Sequence, residues 1–143
     1  MHRLRSVLRR QPVLSATPDL TVREVALTMT QNRVGAIPVL AGGRLVGIFS
    51  ERDLMTRVVV PERDPATTLV SEVMTRDVVT ASPNEPVDRC VEKMKRVGCR
   101  HLPVVSDGAV IGMVSMRDLL RDELEEQDQE IRSLKAYLHQ EPL

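Results

Sequence analysis

Apolar residues recur along the chain with two spacings, and the two alternate in the same order twice. Val22, Val25, Ala26 and Met29 fall at i, i+3, i+4 and i+7, and Val87, Cys90, Val91 and Met94 repeat that spacing. Each set makes one apolar stripe on a helix. Thr21 with Glu24 forms a capping-box pair at the first helix, and Pro86 opens the second. Behind each helix lie two short apolar runs around a turn: Ala36 to Leu40, Gly42-Gly43 and Leu45 to Phe49, then Leu102 to Val105, Ser106-Asp107-Gly108 and Val110 to Val114. These read as hairpins. A short β segment precedes each helix (Val13 to Ser15; Val78 to Thr80), and a further helix starts after Ser50 and again after Ser115. The predicted unit is β-α-β-β-α, present twice.

The repetition extends to identities. A shift of 65 positions aligns residues 13–55 with 78–120 without a gap, and 13 of the 43 pairs are identical, which marks an internal duplication. Ser6-Val7-Leu8 corresponds loosely to Ser71-Glu72-Val73-Met74 ahead of the two copies. The organisation that follows is a basic lead-in helix (1–12), a first repeat (13–60), a linker (61–69), a second repeat (70–122) and a C-terminal amphipathic helix (123–143). A unit of this size has little interior of its own, so the copies are expected to pack on each other about a pseudo-twofold axis, in an α+β fold with a cleft between them.

Past the repeat, Leu120, Leu124, Ile131, Leu134 and Leu138 fit a heptad, with a at 124, 131 and 138, d at 120, 127 and 134, and Gln127 as its polar d position. Such a stripe fits a short coiled coil and hence a homodimer; a helix folded back on its own domain is the other reading. From Asp118 onward there are eight acids and three bases, whereas the first eighteen residues carry four Arg and no acid. The two ends are therefore expected to attract each other, within or between chains.

Composition narrows the functional classes. Lys plus Arg and Asp plus Glu are both 20, so there is no net positive field for nucleic acid or an anionic membrane. No apolar run approaches the ~20 residues of a membrane helix. Two cysteines, Cys90 and Cys99, are too few for a disulfide scaffold and suit a cytoplasmic protein. The basic start has the composition of an organellar transit peptide, but it finds its counterpart before the second copy. With one Phe (Phe49), one Tyr (Tyr137) and no Trp against 42% apolar residues, the core is aliphatic and a planar ligand is held without an aromatic stack.

The strongest local signal is Gly-x-x-Ser-x-Arg-Asp, at Gly47, Ser50, Arg52 and Asp53 and again at Gly112, Ser115, Arg117 and Asp118. It lies where a strand gives way to a helix. Glycine allows close approach of a backbone or ligand, the helix end favours an anion, an ionised Asp accepts from vicinal hydroxyls, and Arg offers a fork to phosphate. The same Ser-x-x-Asp is an ordinary N-capping arrangement. The copies diverge at Arg100-His101, which stand where the first has Gly35-Ala36. These two are either phosphate contacts or solvated and core-edge residues. Cys99-x-His101 lacks the paired spacing of a zinc site, Cys90 falls on the apolar stripe, and no nucleophile has a matching base. No metal and no catalysis are expected.

The repeated IPVL..GRLVGIFSERDL and RHLPVVSDGAVIGMVSMRDLL resemble cystathionine β-synthase (CBS) domains arranged as a tandem pair, over roughly residues 5–122. The chain is similar to stand-alone bacterial CBS-pair proteins. The resemblance implies a disc-like module binding adenosine derivatives: AMP, ADP, ATP, NAD(H) or S-adenosylmethionine. Asp53 and Asp118 then take the ribose-binding places, and Ser50 and Ser115 the phosphate end. Arg52 and Arg117 support it, with Arg100 and His101 as basic contacts. Ser15, Thr17, Thr80 and Ser82 occupy the adenine-facing segments. Ile37 with Pro38, Leu102 with Pro103, and Val79 supply apolar walls. Gly35 and Ala36 leave the first copy less basic. The expected protein is a non-catalytic sensor whose ligand changes the relation of the copies for an effector protein. The alternative is a structural dimerisation module with vestigial clefts.

Overall fold

The computed structural model describes residues 2–8 and 13–139, so Met1 and parts of the predicted lead-in and C-terminal segment lie outside the described residues. Its elements are α1 (Leu4–Val7), α2 (Val22–Asn32), β1 (Ala36–Ala41), β2 (Arg44–Ser50), α3 (Glu51–Leu54), which widens into a π-helical stretch over Met55–Val59, α4 (Val70–Val73), α5 (Val87–Val97), β3 (His101–Ser106), β4 (Ala109–Ser115) and α6 (Met116–Leu138).

Local chemistry accounts for most of these boundaries. The Thr21 hydroxyl accepts from the Glu24 N–H at 3.2 Å and caps α2, while Pro86 stands just ahead of α5 rather than inside it. Gly42-Gly43 and Asp107-Gly108 all have positive φ (56°, 80°, 52° and 78°), the conformation a two-residue hairpin needs to match strand twist. The hairpins β1–β2 and β3–β4 are antiparallel, with an irregular register at Val39/Leu40 and at the equivalent Val104/Val105.

The expected lead β segments do not form: residues 13–15 and 78–80 have no regular structure, and a single bridge follows each, at Ala16 and at Ala81. Ala16 N–H donates to the Pro38 carbonyl and its carbonyl accepts from Leu40 N–H, and Ala81 does the same with Pro103 and Val105. Pro18 and Pro83 follow two residues later, and a proline has no N–H with which to extend a ladder.

The helices ahead of the copies are exchanged. Leu4 of α1 is fully buried with Val87, Cys90, Met94, Leu102 and Val114 in the second copy. Val70 and Val73 of α4, with Met74 after it, are buried with Val22, Val25, Ile37, Val39 and Phe49 in the first. Backbone bonds fasten each graft: Leu4 N–H to Glu85 O (2.9 Å) and Val87 N–H to His2 O (2.9 Å), and likewise Val70 N–H to Leu20 O (2.8 Å) and Val22 N–H to Thr68 O (2.9 Å). Residues 70–74 thus belong by sequence to the second repeat and by packing to the first. This reciprocity joins two small cores into one pseudo-twofold pair, each lacking a wall without the other's segment.

The exchange also explains the motif glycines. A Cβ at Gly47 would lie 2.5 Å from Met74 Sδ and 3.0 Å from the Thr75 carbonyl oxygen, and one at Gly112 would lie 2.7 Å from Leu8 Cδ2. Close approach is needed here, and it is the exchanged segment that approaches. The C-terminal helix is not separate: α6 runs unbroken for 23 residues, about 34 Å at 1.5 Å per residue. Leu124, Ile131, Leu134, Tyr137 and Leu138 on it are all exposed, so its apolar stripe does not fold back on the domain.

Candidate functional site

Between the copies lies a cleft of about 1420 Å³. The first copy contributes Ala26, Met29, Thr30 and Arg33 from the end of α2, then Val34 to Ala36, Glu51 and Leu54; the second contributes Arg100, His101, Met113, Ser115 and the first turns of α6. Val7 and Leu8, Met113, Met116, Leu120 and Leu124 make its aliphatic wall, and Phe49, fully buried, lies in its lining.

Of the residues singled out in sequence, the cleft gathers Arg100, His101, Ser115, Arg117 and Asp118. Ser50, Arg52 and Asp53 lie outside this lining, as do Ser15, Thr17, Thr80 and Ser82. Ile37 and Leu102 are fully buried in the cores, Pro38 and Pro103 lie beside them in buried strand positions, and Val79 packs against the second core. Thr80 offers its carbonyl to Lys93 Nζ at 3.0 Å, and the Ser82 hydroxyl accepts from Asn84 N–H at 3.3 Å.

Both motif copies are capping boxes. Ser50 Oγ accepts from Asp53 N–H (3.2 Å) and Ser115 Oγ from Asp118 N–H (3.1 Å), while the aspartate Oδ2 accepts from Ser50 N–H (3.0 Å) and from Ser115 N–H (3.1 Å). They then diverge. Asp53 is 7% exposed, its Oδ2 also accepts from the Ser50 hydroxyl (3.0 Å), and its Oδ1 accepts from Thr75 Oγ1 (3.2 Å) with Arg57 Nε at 3.8 Å. Asp118 is half-buried, faces the cleft, and has no hydrogen-bond partner on Oδ1 among the described residues. The arginines differ in the same direction: Arg52 donates to the Gly98 carbonyl at 3.3 Å, whereas Arg117 has no side-chain partner among the described residues.

His101 packs across the copies. A Cβ at Gly35 would come 3.4 Å from the His101 ring and 3.5 Å from Glu51 Cδ, so the small residue in the first copy makes room for the imidazole of the second. Burial, assisted by the Arg100 charge, holds the His101 imidazole below its ordinary value against the opposing pull of Asp118 and Glu51. It is therefore neutral near pH 7, and the standing positive charge comes from arginine. Cys90 is confirmed as core: burial, then the Glu85 carboxylate, push its thiol up to about 11. Outside the cleft lining, His2 Nδ1 lies 2.9 Å from Asp122 Oδ1, and that hydrogen bond, followed by the Asp122 charge, raises the His2 imidazole. The two ends thus meet within one chain through His2 and Asp122, while Arg3 and Arg5 turn to Asn84 and Arg9 and Arg10 lie outside the described residues.

Sequence reasoning missed Arg33, Glu51 and Arg121 in the cleft lining, and Thr75 and Arg57 on Asp53. A signal existed for Arg33. It ends α2 in the left-handed conformation (φ 54°) where the equivalent helix α5 ends in Gly98 (φ 80°).

A CBS domain profile matches residues 4–60 and 70–125. The chain belongs to the CBS domain family. Among its CBS relatives is the "CBS domain-containing protein CBSX3, mitochondrial" of Arabidopsis thaliana, 36% identical over 130 residues that cover 87% of this chain and 63% of that protein. The chain thus spans just under two thirds of that relative's length. Solved CBS structures similar to this chain include ligand complexes. One is the CBS domain protein PAE2072 from Pyrobaculum aerophilum complexed with AMP (31% identity, TM-score 0.75, 82% of this chain and 89% of that one). Another is the CBS domain pair of protein MJ0100 in complex with 5-methylthioadenosine and S-adenosyl-L-methionine (26% identity, TM-score 0.80, 88% and 98%). Among the described residues of this CBS pair, no helix is long and apolar enough to cross a membrane.

Proposed function

We propose that this CBS pair is a non-catalytic regulatory module that binds an adenosine derivative in the cleft between its copies. The observation that carries the reading is the Asp118 carboxylate. It is fixed in place by the cap at the start of α6, keeps Oδ1 unpartnered among the described residues, and stands in a cleft ringed by Arg33, Arg100, Arg117 and Arg121. A carboxylate oxygen so placed accepts from vicinal hydroxyls, and guanidinium groups around it favour an anion. AMP in one neighbour, and 5-methylthioadenosine and S-adenosylmethionine in another, support the adenosine class.

A ligand here touches both copies, Val34 to Ala36 on one side and Arg100 with α6 on the other. It shifts their arrangement by as much as it prefers one arrangement over another. Because α6 starts in the cleft and continues far beyond it, a change at Asp118 reaches the exposed end of the helix. Titration calorimetry with AMP, ATP, NADH, 5-methylthioadenosine and S-adenosylmethionine tests this. Binding of at least one, lost in Asp118→Ala, is the expected result; silence from all five would discard the reading.

The exposed α6 stripe favours a second reading, in which a second copy of the chain covers it. Leu124, Ile131 and Leu138 fall at heptad a positions and Leu134 at d, and all are more than half exposed. Sedimentation of the intact chain against charge variants on this stripe, Ile131→Glu and Leu134→Glu, separates dimer from monomer; an unchanged dimer in both would remove α6 as the interface.

A further inference from the structure

Four arginines surround the cleft without a partner among the described residues. Arg33, Arg100, Arg117 and Arg121 all line it, and none of their guanidinium groups has a hydrogen bond or ion pair there. The acids in the same lining are Glu51 and Asp118, so the lining carries a formal excess of two positive charges, on arginines that are exposed and screened by water until a ligand excludes it. Exposed arginines elsewhere are mixed in this respect, Arg57, Arg63 and Arg132 facing a carboxylate within 4.0 Å and Arg44 and Arg96 facing none among the described residues, so what sets these four apart is that they share one cleft. Repulsion among cations that share one cleft is relieved by an anion of matching charge.

Arg33 adds a backbone argument. A left-handed φ is uncommon for a residue with a Cβ, and the equivalent C-cap of the other copy is the glycine that avoids the cost. Strain of this kind persists where the side chain is wanted in place.

In the first copy the equivalent carboxylate is enclosed, with Asp53 only 7% exposed. Both Asp53 oxygens are occupied, by the cap on one side and by Thr75 on the other, and Thr75 arrives on the exchanged segment through its pairing with Ile48.

From these observations, and resting on the adenosine reading above, we infer that the chain binds one ligand rather than two, at the Asp118 side alone. The ligand is a phosphorylated adenosine carrying two or more negative charges, in preference to an uncharged thioether nucleoside or a cationic sulfonium. Asp118 takes the ribose hydroxyls, Arg100 and Arg117 the nearer phosphate, and Arg33 and Arg121, from opposite walls, the outer phosphates.

Calorimetry on the full chain with ATP, AMP, 5-methylthioadenosine and S-adenosylmethionine at low and high KCl tests this. The expected result is one site per chain, ATP at least about tenfold tighter than either sulfur compound, and ATP affinity falling with salt. Arg33→Ala and Arg121→Ala should each weaken ATP about three- to tenfold and leave 5-methylthioadenosine within about twofold. Arg33→Gly should weaken ATP equally while raising the melting temperature, an outcome that a purely structural residue would not give. Two sites per chain, sulfur compounds as tight as ATP, or ATP affinity indifferent to both arginine substitutions would each overturn this inference and leave the adenosine reading standing. Failure of every adenosine compound to bind would overturn both.

Discussion

Asp53 and Asp118 occupy the same place in two copies of one motif, cap the same kind of helix with the same bonds, and end in different chemical states. Asp53 is enclosed by Ser50, Thr75 and Arg57; Asp118 keeps an unpartnered oxygen facing the cleft. The capping role is common to both because both strands must hand over to a helix. The second role is separable, and neighbours outside the motif decide it. Thr75 follows α4 on the segment that the second repeat lends to the first, and Arg57 lies one turn beyond Asp53. In the second copy Asp122 occupies the equivalent helix position and turns to His2 instead. Duplication preserved the cap and let the carboxylate's partner diverge.

The largest expected effect tests how far the open copy depends on its borrowed helix. Leu4→Ala should cost about 2–4 kcal/mol in denaturant unfolding, large for a residue of so short a helix, because the side chain is fully buried. A loss under about 1 kcal/mol would mean that α1 is not part of the second core.

The two aspartates give the direct contrast. Asp53→Ala should lose about 1–3 kcal/mol, since it leaves three part-buried donors on Ser50 and Thr75 unpaired, and should not change affinity in the cleft. Asp118→Ala should lose about 1 kcal/mol, the usual value of a cap, and should reduce nucleotide affinity by about a hundredfold. Equal stability losses with equal affinity losses would erase the distinction between closed and open copies.

The motif glycines sharpen it further. Gly47→Ala should cost about 1–3 kcal/mol because the new methyl meets the Thr75 backbone as well as Met74, and Gly112→Ala less than about 1 kcal/mol because it meets only the end of the Leu8 side chain. Melting curves of the pair suffice, and the reverse order would contradict the packing of the exchanged segments.

Smallest is the effect of pH. An anion entering the cleft raises the depressed His101 imidazole, so binding takes up a proton and phosphate-ligand affinity should rise a few-fold from pH 8 to pH 6. Glu51 and Asp118 oppose the depression and Arg100 adds to it, so His101→Asn should flatten the profile. Stability carries opposite signs at the two histidines. The lowered His101 value contributes stability above the unfolded value near 6.5 that is lost as pH falls; the raised His2 value contributes stability below it that is lost as pH rises through the folded value. Melting of His101→Asn and His2→Asn across pH 5.5–8 separates them, and parallel profiles would contradict the assignment.

Much of the fold was legible because its signals are local. The stripe from Val22 to Met29, the Gly42-Gly43 turn and the Ser50 and Ser115 caps each act within one or two turns of chain, so spacing and residue type suffice. The lead segments were misplaced as well as overextended: residues 13–15 and 78–80 pair with nothing, the single bridge falls one residue later at Ala16 and Ala81, and Pro18 and Pro83 keep it from growing into a strand. Of the candidate site, Arg100, His101, Ser115, Arg117 and Asp118 come together in the cleft. Arg33 and Arg121 carry no motif and enter it only because α2 of one copy faces α6 of the other.

The sequence by itself determined that there are two copies, which elements each contains, where helices begin, and that the core is aliphatic. Hydrophobic period, turn residues and capping pairs are properties of neighbours along the chain. Only the tertiary structure decided that the leading helices are exchanged, that Asp53 is closed and Asp118 open, and that four arginines without partners among the described residues share one cleft. Those outcomes depend on contacts between residues far apart in the chain, and the physical state of a carboxylate or guanidinium is set by the partners that such contacts bring or withhold.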